Sequence, residues 1–146
     1  MTENPDPRNA VSAGTEAVKD LRRLTNTDPE FVTDLAMALS KLSVALAATK
    51  RWKDALTTAD EAVTLRRRLV TDDPATHEPH LARQLYGFAS MLLVGGIATA
   101  QAAAMAQESL AIYRRLLERD PAGFRIECQQ ATLALTELLK TGGMRR

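Results

Sequence analysis

The 146 residues amount to one ordinary domain, and 24 alanines and 20 leucines outweigh seven valines and three isoleucines, which favours helix over sheet. With 45% hydrophobic and 25% charged residues the chain is of the globular class, while 4% aromatic leaves little for stacked-base or aromatic-cage sites. A net charge of +1 supplies no long-range field of the nucleic-acid-binding kind, so nucleic acid is disfavoured as a partner.

In chain order, residues 1–9 read as a polar, proline-containing tail without the basic and apolar regions of a signal peptide. Six helices are expected at about 10–26, 30–48, 52–71, 79–94, 97–119 and 123–141, forming a single domain at 10–141, before a tail at 142–146. Three copies of one pattern organise them. Glu16-Ala17-Val18 leads to Arg22-Arg23-Leu24 and Asp28-Pro29; Glu61-Ala62-Val63 to Arg67-Arg68-Leu69 and Asp73-Pro74; Glu108-Ser109-Leu110 to Arg114-Arg115-Leu116 and Asp120-Pro121. From Glu to Pro the distance is 13 residues in every copy, so the match needs no gap.

Between the copies runs a second helical stripe: Leu35, Leu39, Leu42, Leu46, then Leu81, Leu85, Phe88, Leu92, then Cys128, Thr132, Leu135, Leu139. All three advance by 4, 3 and 4, the spacing of one helix face. Cys128 thus takes a core column, where a lone cysteine behaves as a small apolar residue. It has no internal disulfide partner, which fits a reducing, cytoplasmic location. Proline disfavours α geometry just before it, so Asp28, Asp73 and Asp120 are expected to cap the helices that follow. Thr27 and Glu30 also have capping-box spacing. Turns are expected at Lys50-Arg51 and Gly95-Gly96, with Gly142-Gly143 ending the last helix. The longest uninterrupted apolar run, Met91 to Val94, falls far short of a membrane span, so no membrane is expected.

The run Leu42-Ser43, Leu46-Ala47, Trp52, Ala55-Leu56, Ala59, Ala62 resembles the tetratricopeptide repeat (TPR). Leu-Arg-Arg-Leu followed by Asp-Pro and Asp34-Leu35-Ala36-Met37-Ala38-Leu39 is similar to a lengthened variant from large bacterial repeat proteins, here with units of 45–47 residues. The resemblance implies an all-α fold, a right-handed α-α superhelix of stacked antiparallel hairpins. It also implies a non-enzymatic protein- or peptide-binding adaptor whose first helices line a concave groove. By position the groove residues would be Met37, Ser40, Lys41 and Val44; Arg83, Tyr86 and Ser90; Gln130, Leu133 and Glu137. Lys41 and Arg83 offer charge for a carboxylate or phosphate, and Met37, Tyr86 and Leu133 apolar contact. The end helices are expected either to pack back as caps or to mediate self-association.

The competing reading is a small helical enzyme or ligand-binding protein with a pocket near Tyr86, His77, His80 and Cys128. No catalytic signature is present, and no cofactor or metal is implied: Pro79 is expected to start a helix and leave His77 in a loop, without further ligands beside His80. The recurring arginine pairs read as a solvated ridge near helix C-termini, where the dipole favours cations. Arg66 is the exception. Its column holds Leu21 and Tyr113 in the other copies, so it is expected to snorkel or to pair with a carboxylate.

Overall fold

The computed structural model describes residues 6–144, with side chains to residue 141. The helices are α1 (Pro7–Thr27), α2 (Val32–Ala48, after a 3-10 turn Pro29–Phe31), α3 (Trp52–Asp72), α4 (Pro74–Gly95), α5 (Thr99–Arg119) and α6 (Pro121–Met144). The chain divides into two compact units, one ending at Leu69 and one beginning at Val70.

Each Asp-Pro junction is a cap. Asp28 accepts from the Glu30 amide (2.9 Å), Asp73 from Thr76 (3.4 Å) and Asp120 from Gly123 (3.0 Å). At Gly123 a Cβ would stand 2.2 Å from the Asp120 carboxylate, which would have to shift; at the equivalent Asp73 cap the amide belongs to Thr76. The two hairpin turns use left-handed backbone, at Lys50 (φ 63°) in one and at Gly96 (φ 68°) and Ala98 (φ 47°) in the other.

Several boundaries differ from expectation. Helix α1 starts at Pro7 behind an Asp6 cap, which shortens the expected N-terminal tail; residues 1–5 lie outside the described residues. The Thr27 hydroxyl donates to the Leu24 carbonyl (3.0 Å) and does not accept from the Glu30 amide, which donates to Asp28 instead (2.9 Å). Pro79 lies inside α4, and His77 is helical with it. Asp73-Pro74 supplies the stronger start signal, and Ala75, whose carbonyl loses its partner to Pro79, is exposed to water. At the other end α6 runs through Gly142-Gly143 to Met144, since neither glycine adopts the left-handed geometry that would stop it; residues 145–146 lie outside the described residues.

In the first unit, α1 packs on α2. Leu35, Leu39, Leu42 and Leu46 are buried as the stripe requires. Ala55, Ala59 and Ala62 of α3 are fully buried, and Ser43 Oγ donates to the Ala55 carbonyl (2.7 Å) beside the turn. In the second unit α4, α5 and α6 pack on one another. Leu81, Leu85, Phe88 and Leu92 fill the core. Ala102, Ala106 and Ser109 are fully buried, with Ser109 Oγ on the Ala82 carbonyl (2.7 Å) at the end away from the turn. Alanine and serine at these columns let the helix axes approach, and the serine hydroxyls satisfy themselves in the contact.

Helices α1 and α6 treat this column differently. In α1 its equivalents Ala10 and Ala17 are exposed. In α6 the positions matching Glu78, Ala82 and Ala89 of α4 carry Arg125, Gln129 and Thr136, all exposed: a polar face of the kind that closes a repeat stack.

The 20-residue stretch Pro29–Ala48, whose most apolar 18-residue window has a mean hydropathy of 1.5, is long and apolar enough to cross a membrane by length and composition alone. Counting only uninterrupted runs overlooks it, because Thr33, Asp34, Ser40, Lys41 and Ser43 break the series. Its leucine face is buried, the pattern of a core helix in a helical repeat.

Candidate partner-binding surface

On α2, Met37 and Val44 keep 48% and 57% of their surface exposed, two turns apart on one face. Lys41 stands exposed between them, and Ser40 is turned inward, its Oγ donating to the Ala36 carbonyl (2.9 Å). Three of the four predicted groove residues, Met37, Lys41 and Val44, therefore share a solvent-facing stripe with a cation at its middle.

In the second unit the stripes of α4 and α6 meet. Arg83, Tyr86 and Gln130 border one concavity of about 240 Å³, with Tyr113, Glu127 and Ala131. Arg83 grips Glu127 through Nε (2.5 Å) and Nη2 (3.0 Å), and the Tyr113 hydroxyl donates to the same carboxylate (2.8 Å). Farther along, Leu133 is 68% exposed and Glu137 is exposed, while the Ser90 hydroxyl is buried without a partner among the described residues.

Two residues of this site escaped sequence reasoning. Glu127 lies one step before Gln130 on the same stripe and was reachable by continuing it back three residues. Tyr113 had been placed only in the core column of a second helix. Together they correct the reading of Arg83, whose guanidinium is already engaged by a carboxylate and is not a free anion receptor.

The charges are held accordingly. The Arg83 hydrogen bond is the main cause of a Glu127 pKa below its ordinary value; burial opposes it and Tyr113 assists. Burial pushes the Tyr113 phenol up, and its bond to Glu127 adds to this. Burial alone would raise the pKa of Glu78, but Arg119 (2.7 Å) and Arg115 (3.2 Å) outweigh it and the group ends below its ordinary value.

Both carboxylates titrate lower in the folded chain than in the unfolded one. Their contribution is complete above the ordinary value of 4.5 and is lost as pH falls below it through the depressed pKa. Urea midpoints followed down from pH 6 should drop from about pH 4.5. Glu127→Gln should flatten part of that slope, by about 0.5–1 kcal/mol because the pair is half exposed.

The arginine ridge is more engaged than a solvated row. Arg22 pairs with Glu61 of α3, Arg23 with Asp20, and Arg115 and Arg119 with the buried Glu78 of α4. The dipole explanation is corrected as well: the last turns of α1 and α3 hold no basic residue, and that of α5 only Arg119. Arg66 does not snorkel fully and, among the described residues, forms no ion pair. It is 5% exposed with Nε lacking a partner, and burial lowers its pKa.

The residues of the enzyme-like alternative do not all border this concavity. Tyr86 lines the concavity, but His77, His80 and Cys128 are not among its lining residues. His77 and His80 stack at a tilt with ring centroids 6.4 Å apart, and Cys128 is buried as its core column predicts. Among the described residues no three His, Cys, Asp or Glu side chains gather to hold a metal ion.

Searches of curated proteins and of solved structures gave no match. Residues 35–75 match the family model described as tetratricopeptide repeat. That segment holds most of α2, the Lys50 turn, all of α3 and the Asp73-Pro74 cap, one complete hairpin with its junction. Together with the internal repeat and the helix packing within each unit, this match on residues 35–75 supports a tetratricopeptide-repeat assignment.

Proposed function

We propose that this helical-repeat scaffold is a non-enzymatic adaptor that binds a protein or peptide partner along its first helices, in the cytoplasm. The observation that supports this is the placement of exposed apolar side chains. Met37, Val44 and Leu133 are among the most exposed large apolar residues described, and all three fall on the faces that the repeat register assigns to a groove. Met37 and Val44, two turns apart on either side of Lys41, give one exposed face two apolar contacts around a cation, which supports a contact surface there. On the first unit a partner is expected to bring apolar side chains to Met37 and Val44 and an acidic group to Lys41, and on the second an apolar side chain to Leu133.

The test is crosslinking from a photoreactive residue at position 133 or 37, followed by capture with Met37→Asp and Leu133→Asp variants. Both positions are exposed, so circular dichroism should stay unchanged while capture falls at least about tenfold. Undiminished capture by both variants would refute the assignment.

A further inference from the structure

A second surface lies on the other side of the first unit, on a second helix. Thr15, Lys19, Arg22, Arg23 and Asn26 of α1 border a groove of about 620 Å³ floored by Val18 and Leu42. Three of the residues around it are cations and none is a carboxylate. From Thr15 to Asn26 the groove runs along about 16 Å of helix, the length of three turns of a docked helix.

The internal repeat shows that this charge pattern is particular to α1. The equivalents of Thr15, Lys19, Arg22, Arg23 and Asn26 are Asp60, Thr64, Arg67, Arg68 and Thr71 on α3, and Gln107, Ala111, Arg114, Arg115 and Glu118 on α5. Each of those rows includes an acid and has no counterpart to Lys19.

The three cations differ in availability. Arg22 is fixed by Glu61 and forms a wall. Arg23 holds Asp20 in a pair whose side chains are 76% and 57% exposed, which exchanges at little cost. Lys19 has no ion pair among the described residues. Lys19 and Arg23 stand one helical turn apart, about 6 Å along the axis.

We propose that this groove docks an acidic amphipathic helix of a partner protein, with an apolar side chain on Val18 and Leu42 and carboxylates one turn apart on Lys19 and Arg23. The apolar floor and the absence of an aromatic stacking platform favour such a peptide over a single-stranded nucleic acid. The surface is separate from the first-helix faces, so its failure leaves that assignment standing.

The experiment is fluorescence anisotropy of the full chain with a labelled synthetic helix, leucine along one face and glutamate flanking it. Saturable binding is expected, weakening as salt rises. The Lys19→Glu/Arg23→Glu double variant should lose at least about tenfold in affinity, as should a peptide with glutamine for glutamate. Arg114→Glu, on another second helix, should leave binding unchanged. All three positions are exposed, and circular dichroism checks the fold. The proposal is overturned if the peptide does not bind saturably, if the double variant binds as the parent does, or if a thymidine oligonucleotide or anionic vesicles displace the peptide at equal charge.

Discussion

Leu85→Ala is expected to cost about 2–5 kcal/mol of stability, the largest loss for one truncation on the stripe that runs from Leu81 to Leu92. Leu85 is fully buried in the unit where α4 meets both α5 and α6, and those helices also carry the buried Tyr113 and Leu135. Full burial in a helix packed by both α5 and α6 leaves little room for collapse around the lost methyls, so both the transfer and the cavity contributions apply. Urea denaturation with an unchanged slope measures it. Leu133→Ala is the internal control: at 68% exposure it should fall within about 0.5 kcal/mol of the parent, so any functional loss there is not a folding defect. A small effect at Leu85 would show that the second unit is not packed as described.

Arg66→Leu is expected to act in the opposite direction, stabilising by about 1–3 kcal/mol. Arg66 occupies a column that Leu21 and Tyr113 hold in the other copies, and Tyr113 is tolerated there because its hydroxyl reaches Glu127. Arg66 has no such acceptor at Nε, and its burial is strong enough to lower the pKa of a guanidinium. Leucine keeps the apolar stem and removes the desolvated donor. Thermal and urea midpoints should both rise; a fall of either would mean that Arg66 supports structure through its terminal nitrogens.

The fold was legible because its signals are redundant. The unbroken interval from Glu to Asp-Pro, the caps at Asp28, Asp73 and Asp120, and the 4-3-4 stripes each indicate the same hairpins, and all three kinds of signal appear in the structure. Errors arose where two local signals competed. Pro79 looks like a helix start until Asp73-Pro74 claims that role, and Thr27 looks like a cap until Asp28 supplies one. The site was less legible than the fold. Periodicity places Arg83, Tyr86 and Gln130 on helix faces, but which faces meet depends on packing between α4 and α6. Only that packing brings Glu127 onto Arg83. Charge pairing across helices, as in Glu78 with Arg115 and Arg119, has no sequence period and so left no trace in the pattern.

The polar side chains of α6 give the molecule a direction of growth. A new hairpin appended after Met144 would meet Arg125, Gln129 and Thr136 where a second helix needs a carboxylate and two small residues. A copy of residues 74–120 inserted between Asp120 and Pro121 would instead meet α5 before it and α6 behind it, the neighbours that α4 and α6 already have across those junctions. Lengthening by internal duplication therefore preserves every contact type, while lengthening at the C-terminal end preserves none. A lineage or a designer seeking a longer platform from this chain has one productive place to cut it.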